Sequence, residues 1–246
     1  MERLKDKVAI ITGAGSGIAK TIAQTFANEG AKVVCADIKG AEDTAEEIKK
    51  SGGESMGVTL DVTQEEDWKK TVKKTVDTYG TVDILNNVAG ISEAVNIMDL
   101  DVEKFDQMMA VNVRGVFLGM KHTLPIMKEK QYGKIVNIAS LAAHIGLDGL
   151  PSYSGSKGAV IAMSRQVGTT FAKDNIQVNA VSPGIIDTPI LRNNSPEMTK
   201  KFTEATPAGR LGKTEDIANM VLFLSSDESN FVTAQAMLVD GGWAAS

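Results

Sequence analysis

Cysteine is nearly absent. Cys35 is the single one in 246 residues, which excludes an internal disulfide and any cysteine-based metal cluster. It stands in an apolar, strand-like run, where a thiol is usually a buried structural group. Histidine is almost as scarce, with only His122 and His144. Positive charge is not in excess: 26 Lys and Arg against 31 Asp and Glu leave a net charge of −5, so nucleic acid is not an expected partner. No apolar run reaches the roughly 20 residues that span a bilayer. The first seven residues lead straight into a strand-like segment without a signal-peptide core, so no membrane partner is expected and the cytoplasm is the expected address. Linker-like composition is missing too. What remains, 43% hydrophobic and 23% charged residues, is expected to form a single α/β domain over residues 1–246.

Short apolar, largely β-branched runs near 8–11, 32–36, 56–60, 82–86, 134–138, 176–181 and 236–239 are separated by stretches of helical period. Those stretches fall near 17–29, 41–51, 64–79, 103–130, 152–173 and 214–225. Strands without polar alternation, joined through amphipathic helices, predict about seven parallel strands covered on both faces: a Rossmann-like, doubly wound sheet. Gly30, Gly52, Gly53, Gly80 and Gly133 fall between a helix and the next strand, where left-handed backbone is most often needed. Residues 184–212, with Pro189, Pro196 and Pro207, break the rhythm and read as an insertion that covers a site, a substrate lid.

The first βα turn, Thr12-Gly13-Ala14-Gly15-Ser16-Gly17-Ile18-Ala19, lies where backbone amides and a helix dipole can hold a pyrophosphate. Gly13, Ser16, Gly17 and Ile18 are its candidate contacts. An ordinary βα turn would use the same glycines, but the strand before and the helix after favour nucleotide binding. Asp37 ends the second strand, 24 residues after Gly13. An acid there can accept hydrogen bonds from ribose hydroxyls and would repel a 2′-phosphate, which favours NAD over NADP. Lys39 is a modest counterweight. Asp61 and Val62 end the third strand, and Asp61 reads equally well as a border of the adenine or as a cap for the helix that begins near Gln64.

Tyr153 and Lys157 stand four residues apart in a predicted helix, on one face, and Ser140 precedes Tyr153 by 13 residues. A phenol titrates near 10, so a tyrosine that works as a base near neutrality needs a cation beside it. Lowering it by about two to three units asks for about 3–4 kcal/mol at ~1.4 kcal/mol per unit, which a close ammonium in a dry site can supply. Taken alone, the pair also fits a half-buried aromatic and a solvated charge.

Together, Thr12-Gly13-x-x-x-Gly17-x-Ala19, Asn87-Val88-Ala89-Gly90, Asn112, Ser140, Tyr153-x-x-x-Lys157 and Pro183-Gly184 resemble the short-chain dehydrogenase/reductase family along nearly the whole chain. The resemblance implies that Tyr153 is the general acid/base, that Lys157 lowers its pKa and binds the nicotinamide ribose, and that Ser140 orients the substrate oxygen. Asn112 would complete the tetrad through a proton relay, although an asparagine in a helix can also simply satisfy backbone. Asn87, Ala89 and Gly90 would join the cofactor contacts, and Pro183, Gly184, Ile186 and Thr188 would pass near the nicotinamide. The implied reaction is hydride transfer between NAD and a secondary alcohol or ketone, with no metal. The carboxyl end, Leu238 to Trp243, resembles the segment through which many members assemble as homotetramers. Two positions depart from the pattern. Ala19 replaces the last glycine of the turn, and Val88 replaces an asparagine that has Asn86 as its displaced neighbour, which leaves a buried group unpaired unless another residue compensates.

The expected substrate walls are residues 92–95, 141–150 and 185–198. His144, Ile145, Leu147, Leu150, Ile190 and Leu191 suggest a pocket for a neutral, hydrophobic or cyclic small molecule. Arg192 is the nearest cation, and His144 reads better as a partly exposed loop residue than as a ligand contact. Two alternatives remain: a 3-oxoacyl-[acyl-carrier-protein] reductase, which usually needs NADPH and so conflicts with Asp37, and a non-catalytic nucleotide sensor, which has no use for the tetrad.

Overall fold

The computed structural model describes residues 2–188, 191 and 195–246. Seven strands form one parallel sheet: β1 (Val8–Thr12), β2 (Lys32–Asp37), β3 (Glu54–Thr59), β4 (Ile84–Asn87), β5 (Gly133–Ile138), β6 (Ile176–Pro183) and β7 (Ala236–Val239), in the order β3-β2-β1-β4-β5-β6-β7. The order reverses between β1 and β4, and at that switch point a crevice opens at the carboxyl ends of the strands. β1, β5 and β6 are buried along their whole length, which is why their runs read as continuously apolar rather than alternating.

The described residues hold eight α-helices: α1 (Gly17–Asn28), α2 (Ala41–Lys50), α3 (Glu65–Tyr79), α4 (Val102–Met109), α5 (Gly115–Lys130), α6 (Pro151–Phe171), α7 (Pro196–Ala205) and α8 (Thr214–Ser225). One face of the sheet carries Ala9, Ile11, Ile84 and Val136 against Ile22 and Phe26 of α1 and Ile217 and Val221 of α8. The other carries Ile10, Val34, Leu85 and Ile135 against Trp68 of α3, Leu118 of α5 and Val160 of α6. Each large side chain buried there contributes about 1.5–3 kcal/mol against the exposed state.

Four local expectations change. The helix expected near 103–130 is two helices, α4 and α5, joined through a π-helical turn at Ala110–Arg114. The stretch 184–212 contains α7, opened by Pro196 behind the Ser195 cap, whose hydroxyl accepts the Met198 N–H at 3.2 Å. Pro189, Ile190 and Arg192 lie outside the described residues. Gly30, Gly52 and Gly80 are left-handed as expected, but Gly53 and Gly133 are not. Gln131 ends α5 in the left-handed region instead, and Gly133 is required because a Cβ there would lie 2.7 Å from the Met127 sulfur.

Candidate active site

β1 delivers Thr12, Gly13 and the turn to α1 at the switch point. Gly13 and Gly17 have φ of +75° and +55°, and beyond Gly17 the space is open. Ser16 is the extended N-cap of α1 but makes no side-chain cap bond, and the first turn of α1 holds no acidic residue. The helix therefore presents its free amides and positive dipole end, a donor set suited to an anion such as a pyrophosphate. Asp37 braces the turn from β2: its carboxylate accepts the Gly15 N–H at 2.9 Å and the Lys39 N–H at 3.2 Å. The buried Thr12 hydroxyl accepts the Val88 and Ala89 N–H groups at 3.0 and 3.1 Å, tying the segment after β4 to the end of β1. Thr12 was visible only as the first letter of a glycine motif, and its clasp needs the β1–β4 pairing to exist.

A cleft of about 710 Å³ runs from this turn to α6. Gly13, Ser16, Gly17, Ile18, Asp37, Asp61, Val62, Ala89, Gly90, Tyr153, Lys157 and Thr188 line it. Ile38, which the sequence reading passed over, lines it as well and is 72% exposed, beside Asp37 where a flat apolar group can lie. Asp61 borders the cleft, and its Oδ1 accepts both the N–H and the hydroxyl of Thr63 at 2.9 and 2.7 Å. It is not the helix cap: Gln64 holds that position, and Asp61 instead closes the turn before it.

Four of the assigned cofactor contacts lie off the cleft lining. Asn87 is buried and donates to Asn137 Oδ1 at 2.8 Å, and Asn137 in turn donates to Ser164 at 2.9 Å, so it joins β4 to β5 and α6. Pro183 ends β6 inside the sheet, Gly184 donates its N–H to Val239 at 3.0 Å, and Ile186 is packed in the core. Each is taken up by sheet or core contacts, and among the described residues of that segment Thr188 reaches the cleft. The displaced Asn86 is fully buried, with neither amide atom of its side chain hydrogen-bonded among the described residues. Ala19 is buried against the core without disturbing α1.

The catalytic candidates converge from three elements. Ser140 follows β5 and its hydroxyl accepts the Ala142 N–H at 3.2 Å, opening the short turn Leu141–Ala143. Tyr153 and Lys157 come from the first turns of α6, with the Lys157 ammonium 5.7 Å from the centre of the Tyr153 ring. Lys157 is buried and donates to the Ile138 carbonyl at 2.8 Å. Burial lowers its pKa to about 8. Burial likewise raises the Tyr153 phenol, and a hydrogen bond with Ser140 pulls the other way.

Asn112 sits in the π turn, fully buried, and clasps one residue of the loop after β4: its Oδ1 accepts the Ile91 N–H and its Nδ2 donates to the Ile91 carbonyl, each at 2.9 Å. Nδ2 also lies 3.1 Å from Ser156 Oγ, whose own hydroxyl donates to the Tyr153 carbonyl at 2.8 Å. The backbone that Asn112 satisfies belongs to this loop and not to its own helix. A Cβ on Gly90 would lie 3.2 Å from Asn112 Oδ1 and 3.3 Å from Lys157 Nζ, so glycine is what lets the two groups close on one point. Ser156 was hidden in the sequence as the unassigned letter between Tyr153 and Lys157.

Beside the cleft, a groove of about 480 Å³ is formed by Asn96 and Ile97 with residues 145–151 and Ser154. The Val95 N–H donates to the Gly149 carbonyl at 2.8 Å and joins its two walls. Among the described residues the lining is mostly apolar, with Asp148 the one charged residue. Leu141 and Ala142, expected on this wall, are core residues. His144 is turned away, with Nε2 2.9 Å from the buried Ser182 hydroxyl, so it anchors the loop to β6. Among the described residues no cluster of three His, Cys, Asp or Glu could hold a metal, and no helix is long and apolar enough to cross a membrane.

A family model described as enoyl-(acyl carrier protein) reductase matches residues 13–244. The chain is 38% identical to 2,5-dichloro-2,5-cyclohexadiene-1,4-diol dehydrogenase of Sphingobium indicum, over 98% of this chain and 97% of that one. It is also 38% identical to the 3-oxoacyl-[acyl-carrier-protein] reductase of Thermotoga maritima, over 98% of each chain. A solved structure described as a candidate gluconate dehydrogenase from Agrobacterium tumefaciens superposes with a TM-score of 0.95 at 29% identity, covering 99% of this chain and 98% of that one. With the switch-point cleft and the converging Ser140, Tyr153 and Lys157 already in place, these matches establish that the chain belongs to the short-chain dehydrogenase/reductase family of NAD(P)-dependent oxidoreductases.

Proposed function

We propose that the protein is an NAD-dependent dehydrogenase/ketone reductase acting on a neutral, hydrophobic or cyclic secondary alcohol. The observation that carries the reading is the convergence of Tyr153, with Ser140 bonded to its phenol and the Lys157 ammonium against its ring, beside a cleft whose other end is the free amino end of α1. The nicotinamide, when bound, accepts or gives the hydride. Tyr153 transfers the proton of the substrate oxygen, Ser140 holds that oxygen, and Lys157 makes the phenolate accessible during alcohol oxidation. Asn112 and Ser156 keep the loop after β4 and α6 in register around that pair. Gly13, Ser16, Gly17 and Ile18 would receive the pyrophosphate, while Asp37 would accept the ribose hydroxyls. Its charge, free of any Arg or Lys in the glycine turn, favours NAD.

The apolar groove beside Ser154, whose one charge among the described residues is a carboxylate, supports a neutral substrate over a carboxylate or phosphate. A second reading, reduction of a 3-oxoacyl thioester, is favoured by the equally similar Thermotoga protein and opposed by Asp37. We further assign a cytoplasmic, homotetrameric protein without nucleic-acid or membrane partners. The edge position of β7 and the 40% exposed Leu238 support assembly through that strand.

The test is an absorbance screen of cyclic and acyclic secondary alcohols, ketones and one 3-oxoacyl thioester with NAD(H) and NADP(H). Turnover of neutral alcohols with NAD, and a narrowed NAD preference in Asp37→Ala, are expected. A clear NADP preference in the unaltered protein overturns the cofactor assignment, and turnover confined to the thioester overturns the substrate class.

A further inference from the structure

We propose that Trp243 is a positioning residue: the carboxy-terminal turn Asp240–Trp243 is the seat on which α7 rests and through which the substrate side of the cleft is held. None of the residues of α7 is fully buried. Its inward stripe is Thr199, Phe202 and Thr203, all half-buried, followed by the buried Thr206 just past its end. A helix packed so lightly keeps its place only through a few specific contacts.

Those contacts run to the carboxy-terminal turn. The Phe202 and Trp243 rings stand 6.3 Å apart at 53°, within the range of favourable tilted aromatic pairs. The Thr206 hydroxyl donates back to the Phe202 carbonyl at 2.8 Å, which leaves its methyl facing the turn. A Cβ on Gly241 would lie 2.7 Å from that methyl, and Gly241 has φ +66°. The Ala208 N–H donates to the Gly241 carbonyl at 3.1 Å. Asp240 fixes the turn itself, accepting the Gly242 and Ala244 N–H groups at 3.0 and 2.8 Å.

The other root of the crossover lies on the same turn. Gly184 donates to Val239 at 3.0 Å, and a Cβ on it would lie 2.7 Å from Asp240 Cα. Four residues later Thr188 lines the cleft. Both ends of the segment that carries Thr188 and α7 therefore rest against Val239–Trp243, with Ile185–Asp187 tied in addition to Gly212, although none of the residues 240–243 lines the cleft. Trp243 acts through the segment and does not touch the reacting atoms.

The seat stands on this geometry alone, whereas its consequence for substrate rests on the proposed dehydrogenase reading. The experiment separates the two. Hydrogen exchange of the intact protein is compared for wild type, Trp243→Ala, Trp243→Phe and Gly241→Ala, with kinetics on the fastest alcohol of the panel at saturating NAD. In Trp243→Ala and Gly241→Ala, exchange over residues 196–206 should rise by about ten-fold or more while β1 and β6 stay unchanged, and Trp243→Phe should restore protection. The alcohol KM should rise several-fold with kcat and NAD affinity held within about two-fold. Unchanged exchange in α7, or equal loosening of β1 and β6, overturns the seat. If Trp243→Ala fails to fold, Gly241→Ala carries the same two criteria. A loosened α7 with unchanged KM leaves the seat standing and overturns its role in substrate binding.

Discussion

The glycine turn and the crossover after β6 border the same cleft but are held very differently. The turn is braced by the Asp37 carboxylate and the Thr12 hydroxyl, over β1, which is buried end to end. The crossover carries a helix with no fully buried residue, tied down by one aromatic pair and a glycine-lined turn. The difference separates two tasks. Chemistry common to many substrates needs fixed geometry, which close packing provides, while a surface that admits and releases a particular substrate is drawn from the weakly packed end of the structure.

The comparison can be broken in three places. The largest effect is expected at Lys157, whose ammonium is the cation against the Tyr153 ring. Its replacement by Met should lower alcohol oxidation by roughly 100-fold or more. The pH profile gives the sign: oxidation needs phenolate, burial raises the phenol, and the hydrogen bond with Ser140 opposes that rise; the Lys157 ammonium, 5.7 Å from the ring centre, is expected to add to that opposition. Oxidation should therefore climb with pH in the wild type, and in Lys157→Met the climb should move to higher pH by at least about one unit. The wild-type profile should also flatten above about 8, where the buried Lys157 loses its charge. An unmoved profile in the variant would remove Lys157 from the proton-transfer role.

A smaller effect is expected at Gly119 in α5. Alanine there gains about 1 kcal/mol in helix propensity, but its Cβ would lie 2.5 Å from Asn87 Oδ1 and 2.8 Å from the Trp68 ring, both fixed in the core. Overpacking of about 1–3 kcal/mol should win, so denaturant melts of Gly119→Ala should show net destabilisation. The smallest effect is expected at Met198, 42% exposed on α7, where alanine should stay within about 0.5 kcal/mol. Equal stability changes at the two sites would erase the contrast between the halves.

Most of the sheet was legible because its strands are buried on both faces and read as unbroken apolar runs between periodic helices. Tyr153, Lys157, Gly13, Gly17 and Asp37 were legible because their spacing carries their geometry: one helical turn, one βα turn, one strand end. Residues whose roles depend on distant partners were not. Thr12 matters through the segment after β4, Asn112 through Ile91, and Asn87 through Asn137 and Ser164, and no local spacing encodes those distances. The π turn at Ala110–Arg114 was invisible for the same reason, since the residues around it keep helical period throughout. α7 was missed because its prolines and polar face look like loop, although Pro196 stands at the first position, where a helix accepts proline.

The central claim is that Tyr153 transfers the proton while the rest of the cleft holds the cofactor independently of it. Tyr153→Phe removes one oxygen and keeps the ring that packs beside Lys157. Turnover with the best alcohol of the panel should fall by about 10²–10⁴-fold or more, while NAD affinity, read by a binding titration, stays within about three-fold of wild type. Wild-type-like turnover in Tyr153→Phe contradicts the account.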